Sequence, residues 1–178
     1  MATSRKAAEG EGLAAQLDRN VLTYATRVPN WRVFALETKV DARYARAQRR
    51  YLGASGSVRH DDPKALKGAL PATCHTLSIM MMPAGHAQPF HHHPETEIFF
   101  VLEGAPTVMW KEGDAIVEKK LGKWDMVANP PGRVHAIRND GGTDCYFQVM
   151  LASPAPGRPI YQDAELRRLQ TADDPDRA

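Results

Sequence analysis

The chain has 178 residues, a formal net charge of +2 and 25% charged residues. That is enough for one domain with a sizeable core plus extensions, and too balanced a charge to suggest a dedicated polyanion partner. No stretch approaches the roughly eighteen consecutive apolar residues of a membrane span, and Met1 to Leu17 lacks the apolar core of a secretory signal, so a cytoplasmic protein is expected.

Residues 1–20 read as a partly helical leader interrupted by Gly10 and Gly12. Val21 to Val40 is apolar but irregular, and Trp31–Leu36 reads as a strand or a buried arm. Asp41 is placed to cap a short helix running through Tyr51 and closed by Gly53, with Arg43, Arg46, Arg49 and Arg50 on a solvated face rather than a nucleic-acid surface. Residues 55–71 form a loop punctuated by Gly, Ser, Asp and Pro near the barrel mouth. Strands are then expected over 73–82, 90–93, 97–102, 107–111, 115–121, 125–128, 135–138 and 145–151, with turn residues between them. Cys74 and Cys145 fall inside two of these and, lacking CxxC spacing, read as buried reduced thiols. A short helix over 161–170 ends the pattern. The expected organisation is an N-terminal extension over 1–70, a barrel over 71–153 and a tail over 154–178.

The chemistry concentrates between Gly85 and Gly104. His91 and His93 are two apart, so on an extended strand both imidazoles face one side and His92 the other. Pro94 favours a turn, and Glu97 opens the next strand. Some forty residues on, the Pro130-Pro131-Gly132 turn introduces a strand carrying His135. His60, His75 and His86 have no partner at comparable spacing.

These two stretches resemble the paired motifs of the cupins. Gly85, His91, His93, Glu97 and Gly104 fill every position of the first, G-x5-H-x-H-x3-E-x6-G. Pro130, Gly132, His135 and Asn139 match the second, G-x5-P-x-G-x2-H-x3-N, whose first glycine is replaced by Trp124, with Gly122 two residues early. The resemblance implies an all-β double-stranded β-helix, or jelly-roll barrel, binding one divalent ion through His91, His93, Glu97 and His135.

Neutral imidazoles with one carboxylate and no thiolate suit Fe(II), Mn(II), Ni(II), Co(II) or Zn(II) in an open rather than a structural site. Fe(II) is favoured. The resemblance then implies an enzyme, foremost a dioxygenase of a small aromatic or diketone-like compound. A non-redox isomerase or lyase and a sensing cupin without turnover are the alternatives. Phe99, Val101, Met80 and Met82, among further apolar residues, are expected to line the pocket, with Arg133 at its mouth. On strand 97–102 the outward set Ile98, Phe100 and Leu102 is as apolar as the inward one, so something must cover it. A homodimer is expected, with no nucleic-acid or membrane partner.

Overall fold

The computed structural model describes residues 12–53 and 68–172. His60, most of the 55–71 loop, the start of the leader and the last six residues lie outside the described residues. Ten strands build two five-stranded sheets: β1 (Ala47–Leu52), β2 (Thr76–Met82), β3 (His91–His92), β4 (Glu97–Glu103), β5 (Thr107–Glu112), β6 (Ala115–Lys120), β7 (Met126–Asn129), β8 (His135–Arg138), β9 (Cys145–Leu151) and β10 (Ile160–Tyr161). The first sheet runs β1-β2-β9-β4-β7 and the second β10-β3-β8-β5-β6. Among the described residues the strands pair with one another antiparallel, and sequence neighbours repeatedly fall in opposite sheets, which gives the jelly-roll arrangement.

Alternation explains the core. Along β2, β4 and β9 every second residue is buried, and Met80, Met82, Phe99, Phe147 and Val149 interlock with Ile137 from the other sheet. The outward residues Ile98, Phe100 and Leu102 are half-buried. They share the outer face of the first sheet with Leu77, Ile79, Tyr146 and Met150, and Met126, opposite Phe100, is 55% exposed.

The segments flanking the barrel motifs hold two corrections. Residues 45–51 are not helical: after a single 3-10 turn at Ala42–Tyr44, capped by Asp41 Oδ1 accepting from the Arg43 amide, the chain enters β1. Its arginines are not a solvated face either, since Arg46 and Arg50 are buried at 1% and 4% exposure and only Arg43 is fully exposed. An alanine- and arginine-rich segment has helical propensity, but pairing along β2 and a buried carboxylate outweigh it. Residues 31–36 form an arm of 3-10 turns rather than a strand, burying Val33 and Leu36.

The other flank also joins the barrel. Tyr161 lies in β10, opposite His91, and the final helix α2 (α1 being Leu13–Asn20) covers Ala164–Ala172, where Asp163 Oδ1 accepts from the Leu166 amide. Cys145 is buried, and burial pushes its thiol up to about 12, whereas Cys74 precedes β2 and is exposed.

Two turn positions explain how the motifs close. Gly104 has φ +89°, and a Cβ there would meet the Cys145 Cβ at 2.6 Å. Trp124, standing where the second motif has glycine, has φ 74°, the left-handed region that costs an L side chain about 1 kcal/mol or more. Its amide donates to Val101 O at 2.9 Å, and Asp125 Oδ2 accepts from the Gly122 amide at 2.7 Å, so the loop is held from both sides. The departure from the motif keeps the glycine's backbone and carries the strain. Trp124→Gly is therefore expected to be more stable than Trp124→Ala by about 1 kcal/mol, since both lose the ring and only glycine relieves the backbone. Chemical denaturation of the pair measures the difference.

Candidate metal centre

The short strand β3 pairs with β8 so that His91 lies directly opposite His135, both in the second sheet. Glu97 reaches them from the first sheet, at the start of β4. His93 follows β3, and its carbonyl accepts from the Gly132 amide at 2.8 Å, so the Pro-Pro-Gly turn that delivers His135 also holds the His93 loop. The two motifs are thereby fastened to one another.

The Nε2 atoms of all three histidines converge on one carboxylate oxygen. Glu97 Oε2 lies 2.7 Å from His135 Nε2, 3.6 Å from His91 Nε2 and 3.7 Å from His93 Nε2. The ligand atoms of His91, Glu97 and His135 lie within 4.8 Å of one another; His93 stands slightly outside that trio, its ring 5.0 Å from that of His91 and 6.4 Å from that of His135. All four side chains are buried. His91 Nδ1 donates to Pro89 O at 2.9 Å, which places its proton on Nδ1 and turns its Nε2 lone pair inward, and His135 Nδ1 donates to Arg133 O at 2.8 Å, which aims its Nε2 at Glu97.

Burial pushes both His91 and His93 down, His93 to about 4, so both imidazoles are neutral at physiological pH. Burial also acts to raise the Glu97 carboxyl, but the facing His93, His135 and His91 outweigh it and hold the group well below the ordinary carboxylate range. Neutral imidazole nitrogens around an ionised carboxylate are the donor set that a borderline divalent ion takes.

Not every expected pocket residue reaches this centre. A cavity of about 50 Å³ opens on His91, His93 and Glu97. Met80 lines it, whereas Phe99, Val101 and Met82 do not. Phe99 packs behind the centre, 5.8 Å from the His135 ring and 5.5 Å from that of Phe147; Val101 packs with Val108 and Leu121; Met82 is fully buried in the core. They are inward-facing, but farther along the barrel than the cluster. Arg133 lies outside the cavity, 5.2 Å over the Trp110 ring and 3.5 Å from Glu112. His92 faces away, half-buried and opposite Ile160. His86 is tied to Ala45 O and His75 to Cys74.

The remaining lining mixes apolar Phe34, Val149, Leu151 and Pro159 with polar residues that were missed in the sequence. It includes Glu37, Arg46, Gln48 and Arg50, with Gln88 Nε2 3.2 Å from His91 Nε2. Arg46 clasps Glu37 through two bonds of 2.6 and 3.1 Å, lies 3.5 Å over the Phe34 ring, and shares Glu37 with the Tyr161 hydroxyl at 2.8 Å. Burial, then the Glu37 charge, pushes the Tyr161 phenol well above its ordinary value and keeps it a donor. The alternate placement of Arg46, Gln48 and Arg50 was the available signal.

Comparison with known proteins agrees with this geometry. Residues 78–151 match the family described as Cupin domain. Dimethylsulfoniopropionate lyase DddQ from Ruegeria pomeroyi is 39% identical over 64 residues, covering 34% of this chain and 28% of that protein. Germin-like protein subfamily T member 3 from Arabidopsis thaliana is 30% identical over 118 residues, 60% of this chain and 52% of that protein. The crystal structure of DddQ superposes with a TM-score of 0.50 at 26% identity, covering 66% of this chain and 51% of that one. The chain thus spans about half or less of the length of these relatives.

The protonation states predict a pH response of the metal-free fold. A histidine depressed in the folded state binds its proton more readily when unfolded, so stability is full above pH 6.5 and falls as pH drops toward 4. Chelator-treated protein is expected to lose about 3 kcal/mol through His93 between those limits, and His93→Gln correspondingly less. Denaturation midpoints of the two proteins across that range decide it.

Proposed function

This chain carries a cupin domain over residues 78–151, and we propose that it is a metal-dependent enzyme of the lyase or isomerase kind, acting on a small oxygen-bearing substrate. One observation carries the reading: the cavity that meets the histidine–glutamate cluster is small and lined by Arg46, Arg50, Glu37, Gln48 and Gln88. Charged walls suit a substrate that passes through an anionic state. The likeness to a lyase over 64 residues supports the same direction.

His91, His93, Glu97 and His135 would hold the ion. A divalent ion bound there would supply Lewis-acid polarisation of a substrate oxygen. The chain's own residues do the rest. Pro89 O and Arg133 O orient the imidazoles, and Gln88 is placed to hydrogen-bond a substrate oxygen beside His91. Glu37, engaged by Arg46 and Tyr161, anchors the wall.

A second reading, an Fe(II) dioxygenase, is supported by the donor set itself: three imidazoles and one carboxylate with no thiolate. Metal content of anaerobically purified protein, with paramagnetic spectra after adding nitric oxide, separates the two. Stoichiometric Zn(II) or Mn(II) supports the Lewis-acid enzyme, and high-spin Fe(II) that takes up nitric oxide supports the dioxygenase. His93→Ala and His135→Ala are expected to lose the ion with the fold retained by circular dichroism. His92→Ala keeps it. Full metal occupancy in either of the first two would refute the ligand assignment.

The outer apolar face of the first sheet supports a homodimer as the working assembly. Light scattering is expected to return twice the chain mass of 19.7 kDa. Met126→Glu, at an exposed site opposite Phe100, is expected to shift it to one chain mass with unchanged secondary structure.

A further inference from the structure

Glu97 and His135 meet across the two sheets, and a second contact runs beside theirs. Asn129 lies directly opposite Glu97 on β7, and Trp110 directly opposite His135 on β5. Trp110 Nε1 donates to Asn129 Oδ1 at 2.8 Å, one strand away from the 2.7 Å contact of His135 Nε2 with Glu97 Oε2. The two contacts are neighbouring rungs between the sheets.

An indole nitrogen only donates, so the Trp110 bond commits the Asn129 oxygen and leaves Nδ2 as the free end of the amide. That Nδ2 is buried with no hydrogen-bond partner among the described residues, on a side chain that is itself fully buried. A buried amide N–H without an acceptor is costly, and a native fold keeps few of them. β7 is the edge of its sheet, with β4 alone beside it. A donor shut off from solvent on that strand is turned away from the open side and toward Glu97. Side chains directly opposite on antiparallel strands have Cβ atoms about 5 Å apart, so the amide and the carboxylate are within reach of one another.

The cluster itself supplies the need for such a donor. Two ligand atoms, each about 2.1 Å from one ion and at right angles to it, lie about 3 Å apart, and wider angles separate them further. Glu97 Oε2 and His135 Nε2 are closer than that because here they bond to each other. Sharing an ion draws them apart, and the carboxylate then needs a donor in place of His135. Carboxylates that ligate a metal are held by such outer hydrogen bonds.

We propose that Asn129 is a positioning residue of the metal centre: its Nδ2 donates to the Glu97 carboxylate when an ion replaces the His135–Glu97 bond, and Trp110 holds the amide the right way round. This rests on the metal-enzyme reading above. Asn129 does not line the cavity, so it acts through Glu97 rather than on a substrate.

The test is the Co(II) affinity of the full chain, titrated against a competing chelator, with the visible spectrum of the bound ion recorded alongside. Asn129→Leu is expected to weaken Co(II) binding by about 10-fold or more and to shift the absorption bands. Trp110→Phe removes the indole N–H but leaves the amide donor, and is expected to weaken binding by about threefold or less. Unchanged affinity and spectrum in Asn129→Leu overturn the proposal. Equal losses in the two variants also overturn it, because then only the bridge between the sheets matters. Should Asn129→Leu not fold, Asn129→Ala decides by the same thresholds. Wild-type protein that takes up no Co(II) refutes the metal-enzyme reading and this role together, whereas wild-type uptake that Asn129→Leu leaves intact refutes the role alone.

Discussion

A single desolvated carboxylate sets the constraint on which the rest of the molecule depends. Glu97 is ionised inside a barrel, and an ionised group there is tolerable only if donors or a cation surround it. Three imidazoles face it, brought from two stretches of chain with each Nε2 turned toward the place where a cation would meet the carboxylate. The β3–β8 pairing places His91 against His135, the Pro-Pro-Gly turn ties the His93 loop, and two carbonyls orient the imidazoles. The jelly roll is the scaffold that brings a residue of one sheet within hydrogen-bond reach of residues of the other.

A second buried charge pair does comparable work at the periphery. Glu37, Arg46 and Tyr161 come from three segments separated by up to 124 positions in the chain. Such a pair seldom adds net stability over an apolar replacement, because desolvation offsets the attraction. It does fix geometry: β1 becomes the edge of one sheet, β10 the edge of the other, and the Glu37 arm is fastened between them. The two flanking segments thereby become walls of the cavity. Their polar residues distinguish it from the apolar core a few residues farther along the same strands.

Inward-facing residues of a barrel belong to different depths, and alternation alone does not report depth. Phe99 and Val101 share their face with Glu97, but successive inward positions are about 6.6 Å apart along a strand, so they pack behind the cluster instead of over it. An apolar lining inferred from that face suggested an aromatic substrate. The polar residues of β1, in the spatial neighbourhood of the cluster but some forty positions from it in sequence, share the cavity with Phe34, Val149 and Leu151.

The order of His91, His93, Glu97, His135 and Asn139 carried the cupin resemblance, which by itself implied the fold class and the candidate cluster, because motif spacing and turn residues are local properties that survive without tertiary context. The strands from 76 to 151 were legible for the same reason. Tertiary structure alone decided that residues 47–52 are a strand with buried arginines: local propensity there favours helix, and only the β2 edge and the Glu37 carboxylate reverse it. It also decided that Trp124 adopts a glycine's backbone, because the hydrogen bonds holding that loop come from β4 and from Asp125. The cavity's polarity was decided there too, since it depends on which segments close over the site, and burial of a charge is affordable only where a partner distant in sequence is brought to meet it.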